Sequence, residues 1–181
     1  MLVWERKGTK MYCVNDTVVY GVQGICKVTD ITTQQVEGRW VEYYMLRPIY
    51  DDKSVFFVPV QNETLTRRMR PILTKKEIYQ LIHSMPAEQE IWIEKENLRK
   101  EKYQQILSQG NRKELVMLIK TLYFHQKVQK EKGRKLHLSD ERFLREAERM
   151  LYDEFAAVLH IRQDQVLAFI LKELQQEETT R

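Results

Sequence analysis

Residues Met11–Pro59 read MYCVNDTVVYGVQGICKVTDITTQQVEGRWVEYYMLRPIYDDKSVFFVP, and this stretch decides the fold of the first part of the chain. Short runs of β-branched and aromatic residues alternate with polar ones and are broken by Gly24, Gly38 and the Asp51–Asp52 pair. That pattern predicts a small, twisted antiparallel sheet. Strands are expected at 17–20, 25–33, 40–48 and 55–60, with a short fifth near 65–68 that could close a half-barrel. Asn15–Asp16 launches the first strand, and 35–39 and 50–53 make hairpin turns. Inward positions are expected at Val18, Ile25, Val28, Ile31, Tyr43, Met45, Val55, Phe57 and Val60. A slip of one residue inverts any strand. The paired glycines of YGVQG are not a nucleotide loop, because no GK[ST] follows and no helix opens there.

From Thr74 onward the period changes to that of helices. Thr74 and Glu77 form a capping-box signature ahead of Ile78, Leu81 and Ile82. Pro86 ends that helix, and a long, highly charged helix is expected over 87–107, stopping near Gly110. A third helix is expected over 112–130, a fourth capped by Ser139–Asp140, and a last over 164–175. The apolar stripes read as core and not as cofactor boxes. The fold class is therefore α+β, a small β-module followed by a compact helical one. The expected division is 1–10 as a disordered extension, 11–70 as the β-domain and 71–181 as the helical domain.

The 181 residues hold 30 Lys and Arg against 26 Asp and Glu, a net charge of +4. Residues 1–70 have 10 basic and 8 acidic residues, and 71–181 have 20 and 18, so any nucleic-acid surface is a local patch. The two cysteines, Cys13 and Cys26, fit a reducing compartment better than a disulfide. With no membrane-length apolar run and no signal-peptide pattern, the chain reads as cytoplasmic.

Enzyme chemistry finds little support. His83, His125, His137 and His160 are scattered without metal-ligand spacing, and neither cysteine has a neighbouring base. Glu88, Glu90, Glu94, Glu96 and Glu101 interleave with Lys95, Arg99, Lys100 and Lys102, as on a solvated helix laced with ion pairs. No catalytic residue, cofactor or metal is expected. Two basic runs, Arg67–Arg70 and Lys127–Lys135, could grip phosphates or be ordinary solvated turns. Trp92 fits poorly as core on so charged a helix. With Lys95, Arg99 and Lys102 near it, it reads either as an apolar wedge flanked by phosphate contacts or as a packed tryptophan between modules.

The order and spacing of VNDTVVYGVQGICKV, EYYMLRP and FFVPV, then W…R…Y…GNRKELVMLIKTLY and LSDERFLREAERMLYDEFAAVL, resemble the CarD/CdnL family of bacterial RNA polymerase-binding transcription regulators. The resemblance covers nearly all of 11–161. It implies a Tudor-like domain that docks on the polymerase β subunit and a helical domain that contacts promoter DNA at the upstream edge of the bubble. It implies that Trp92 wedges into the minor groove, with Lys95, Arg99 and Lys102 as backbone contacts. Gln34 and Phe57 match polymerase-facing positions that are often arginine in the family, and Arg39 and Arg47 are the nearest substitutes. The spacing from Trp92 to Gly110 is about four residues longer than in well-known members. A monomeric protein with weak, largely sequence-independent DNA binding is expected. The competing reading is a protein-only adaptor that recognises a peptide or an assembly partner without touching DNA.

Overall fold

The computed structural model describes residues 12–51 and 53–180, with side chains as far as Gln176. The expectation about residues 1–10 lies outside them. The chain divides into two compact units between Ile72 and Leu73.

The first unit is a five-stranded antiparallel sheet in the order β4-β3-β2-β1-β5, and among the described residues the elements after it are all helices. Its strands are β1 (Thr17–Tyr20), β2 (Ile25–Val36), β3 (Arg39–Pro48), β4 (Phe56–Pro59) and β5 (Met69–Pro71). The sheet is open, with β4 and β5 as its edges. The expected fifth strand at 65–68 is instead the short helix α1 (Glu63–Thr66) and its end, and the strand follows at Met69. Asn62 explains the shift: its side chain accepts from the Leu65 amide and caps a helical turn there. Glu37 and Gly38 both have positive φ, 49° and 77°, which forms the tight two-residue turn between β2 and β3.

Tyr12, Val18, Cys26, Val28, Tyr44, Leu46, Val58 and Met69 form the sheet's core. The Tyr12 hydroxyl donates to the Met69 carbonyl at 3.0 Å, tying the segment before β1 to the edge strand. The expected register of β3 is inverted, and on β4 Phe57 faces outward, while Val60 packs on the core as expected. Tyr44, Leu46 and Val58 point inward, at no more than 2% exposure, whereas Tyr43, Met45 and Phe57 belong to the outer face. Cys13 is exposed and Cys26 buried, both as free thiols.

The second unit contains α2 (Lys75–Ser84), α3 (Glu96–Gln109), α4 (Arg112–Glu131), α5 (Leu138–Leu159) and α6 (Val166–Thr180). Thr74 caps α2 with the reciprocal capping box. One core gathers Tyr103, Ile106, Leu118, Leu122, Leu144 and Ala147 from α3, α4 and α5. A second gathers Ile78, Ile82, Leu151, Phe155, Val166 and Ile170 from α2, α5 and α6. Buried Glu154 accepts from Arg112 through both oxygens, at 2.8 and 2.6 Å, and from the Leu73 amide at 2.8 Å. This locks the entry of α2 against α4 and α5.

The long helix expected over 87–107 is shorter at its N-terminal end. Residues 88–95 are not helical, and α3 begins only at Glu96. Side chains from other elements have taken the carbonyls that a helix would use. Lys120 donates to Pro86 at 2.8 Å and to Glu88 at 2.7 Å, and Arg99 donates to Ile93 at 2.8 Å and to Glu94 at 3.2 Å. Among the described residues no helix is long and apolar enough to cross a membrane.

Candidate nucleic-acid and polymerase interfaces

The sheet's outer face follows from register. Gln34 pairs with Val41, Arg39 with Val36, Arg47 with Lys27, and Phe57 with Met45. Paired residues share a face and successive residues alternate, so Gln34, Arg39, Arg47 and Phe57 all lie on the side opposite the core. The irregularity between Val28 and Asp30 keeps both halves of β2 aligned with β3 across this face. Phe57 is 47% exposed and packs edge-on against Tyr43, with ring centroids 6.4 Å apart. Toward their shared turn, β2 and β3 continue as a ribbon exposed on both sides. Trp40 stands there at 72% exposure, on the face opposite Arg39. Sequence reading passes over Trp40, because an aromatic in a strand run looks like core.

In the helical unit, Trp92 lies on the non-helical segment before α3 and is half-buried. Its indole stacks on the His125 imidazole, centroids 3.5 Å apart and planes within 14°. The Arg99 guanidinium carbon lies 4.3 Å from the ring centroid. The indole N–H donates to Glu94 Oε1 at 3.0 Å. The segment is held on both sides of Trp92: before it, the Ile91 amide donates to buried Thr121 and the Tyr103 hydroxyl donates to the Ile91 carbonyl; after it, Arg99 donates to the Ile93 and Glu94 carbonyls. The indole is a plate on a braced loop, and it does not ride the face of a helix.

Arg99 differs most from its expected place. It is 6% exposed and binds Asp140 with both ends of the fork, Nε to Oδ1 at 3.2 Å and Nη2 to Oδ2 at 3.0 Å. An arginine so engaged is not a free phosphate contact. Asp140 is 1% exposed and is the partner of Arg99; the cap of α5 is the His137 side chain. Lys95, just before α3, is exposed, whereas Lys102 is half-buried and lies 3.6 Å from Glu114. The structure thus brings Trp92 and Arg99 into contact and sets Lys102 toward the start of α4. Lys127, Lys130, Lys132, Arg134 and Lys135 are all exposed at the end of α4 and in the loop after it. His125 lies seven residues before Lys132, about 10 Å along the helix axis. Across α4, the loop carrying Trp92 also borders an apolar cleft of about 490 Å³ lined by Met85, Pro86, Phe124 and Leu171.

Residues 12–73 match the family model of the CarD-like/TRCF RID domain. The first unit carries a CarD-like/TRCF RID domain. The match is to a domain type shared by CarD-like proteins and TRCF, and it covers the β-sheet unit alone. A comparison with curated proteins gives no match. The RID match spans about a third of the chain and ends at Leu73, so the helical unit stands on its own geometry. The outer face of the RID sheet holds Gln34, Arg39, Arg47 and Phe57. Among the described residues no group of three or more His, Cys, Asp or Glu side chains is arranged to hold a metal.

His125 gives the Trp92 site a pH dependence. Burial pushes its pKa below the ordinary 6.5, the Arg99 charge acts in the same sense, and Glu90, Glu94 and Asp140 oppose it. A lowered folded-state pKa means that the unfolded chain takes up the proton first. The contribution is complete above pH 6.5 and is lost as pH falls through the lowered value. Thermal melts from pH 8 to 5.5 are expected to show a greater loss of stability for the wild type than for His125→Gln. Parallel curves contradict the assignment.

Proposed function

We propose that this protein is a transcription regulator that docks on the RNA polymerase β subunit through the outer face of its RID sheet. Its helical unit then contacts promoter DNA at the upstream edge of the bubble and stabilises the open complex. The observation that carries the reading is an RID domain in the same chain as a braced, half-exposed tryptophan beside a run of exposed cations. Docking residues are Gln34, Arg39, Arg47 and Phe57. Trp92 is the wedge, and Lys95 and Lys102 contact the DNA backbone. Lys127–Lys135 supplies further phosphate contacts, and Arg99 supports the indole from within.

The physics favours this division of labour. A chain of net charge +4 binds DNA weakly by itself, and polymerase docking raises its effective concentration at the promoter. Inserting an apolar wedge costs a few kcal/mol on intact duplex and less where melting has already distorted the base steps. The wedge therefore binds the open state better than the closed one and shifts the population toward it.

The adaptor reading is separated from this one by salt. The ratio of open-complex half-life with the protein to that without it is measured at 50 and 200 mM salt. The Lys95 and Lys102 contacts alone predict roughly a tenfold fall in the protein's contribution across that range, and each contact from Lys127–Lys135 adds about a 3.5-fold further fall. A ratio that ignores salt favours a protein-only adaptor.

A further inference from the structure

We propose that Arg99 and Asp140 are positioning residues for Trp92: the pair fixes the plane of the indole that acts on DNA. The inference rests on the wedge reading and adds to it the residues that set the wedge. A buried ion pair is a poor source of net stability, because two desolvated charges are often replaced by apolar side chains without loss. This pair is 6% and 1% exposed, yet α3 and α5 already share an apolar core. What it adds is orientation. Nε and Nη2 of Arg99 are fixed by Asp140, and Nη1 donates to the carbonyls of Ile93 and Glu94, the two residues that follow Trp92. The same guanidinium lies 4.3 Å from the centroid of the indole. One planar group thus sets both the backbone after the tryptophan and the ring itself.

Lysine cannot reproduce this. Its ammonium is a point charge without a plane to lie along the ring, and it cannot span Asp140 and two carbonyls at fixed angles. Lys120 and Thr121 hold the loop independently. Arg99→Lys is therefore expected to leave the loop in place and loosen the indole, which keeps only its stack on His125 and its bond to Glu94. Asp140 acts through Arg99, and it sits in the first turn of α5, just beyond the exposed basic loop. Through the pair, the spacing between Trp92 and that loop is held constant.

The test uses the full chain with Trp4→Phe and Trp40→Phe, which leaves Trp92 as its one tryptophan. Acrylamide quenching of Trp92 is measured for this background, Arg99→Lys and Asp140→Asn, and the half-life of the polymerase–promoter open complex for these three and for Trp92→Ala. Arg99→Lys is expected to raise the quenching constant about twofold and to cut the protein's effect on half-life roughly fivefold, the scale of a lost cation–π contact. Melting curves confirm folding. If Arg99→Lys does not fold, Asp140→Asn, which keeps the shape and removes the charge, is expected to give the same two changes. Wild-type quenching and half-life in the variant that folds overturn the proposal. Raised quenching, with Trp92→Ala leaving half-life intact, upholds the positioning and overturns the wedge reading.

Discussion

Replacing Trp92 by alanine is expected to leave polymerase binding unchanged while shortening the open-complex half-life that the protein confers by about tenfold. The indole is half-buried, and its neighbours remain held without it. Arg99 keeps Asp140 and the two carbonyls, and Thr121 keeps the Ile91 amide. Truncation therefore costs less stability than emptying a core position, roughly 1–2 kcal/mol against the 3–5 kcal/mol of a fully buried tryptophan. The loss on DNA is larger in consequence, because a wedge acts only through its ring. Unstacking a base step involves a few kcal/mol, and about 1.4 kcal/mol of lost stabilisation already gives the tenfold change. Gel-shift measurement of complex decay after competitor addition reads it directly. Trp92→Phe, which keeps an apolar ring of smaller area, is expected to fall between the two. A Trp92→Ala protein with the wild-type half-life removes the wedge.

The second large effect lies in the RID domain. Phe57→Asp is expected to weaken polymerase binding by at least tenfold while the domain's melting temperature stays within a few degrees of the wild type. Phe57 is 47% exposed on the outer face, and its one aromatic contact there is the edge of Tyr43. A charge at that place is solvated in the free protein and desolvated at an interface, so the cost falls on binding. The adjacent residue gives the opposite outcome. Val58 has no exposed surface, and Val58→Asp is expected to unfold the sheet. Titration of each variant against polymerase, beside its melting curve, separates an interface residue from a core residue one position away.

That one-residue distinction marks where the sequence stopped being legible. The strands from Thr17 to Pro59 were readable because turn residues interrupt β-branched runs, and β1 lies over the span its sequence predicts. The faces of β3 and β4 were not, since Tyr43–Leu46 and Phe56–Val58 are apolar on both sides and alternation gives no contrast. The resemblance singled out Gln34, Arg39, Arg47 and Phe57, but that they share one outer face emerged only from strand pairing. In the helical unit the capping box at Thr74 was plain. The loop carrying Trp92 was hidden: residues 88–95 have the charge pattern of a solvated helix, and the donors that prevent one lie at Arg99 and Lys120. Asp140 looked like a cap because it sits at a helix start, while its partner is 41 residues away in the chain. Local propensity yields to such tertiary contacts where the backbone has other donors to satisfy it.

The central claim is that one chain couples a polymerase contact to a DNA contact, and a double-mutant cycle tests it most directly. Open-complex half-life is measured with the wild type, Phe57→Asp, Trp92→Ala and the double variant, at a protein concentration near the wild type's Kd for polymerase, where a tenfold-weaker variant is almost wholly undocked. Coupling predicts that Phe57→Asp alone abolishes the protein's effect and that adding Trp92→Ala changes nothing further, since an undocked wedge is too dilute to act. If each substitution removes its own share and the double variant shows their product, the two contacts work independently and the coupling account is wrong.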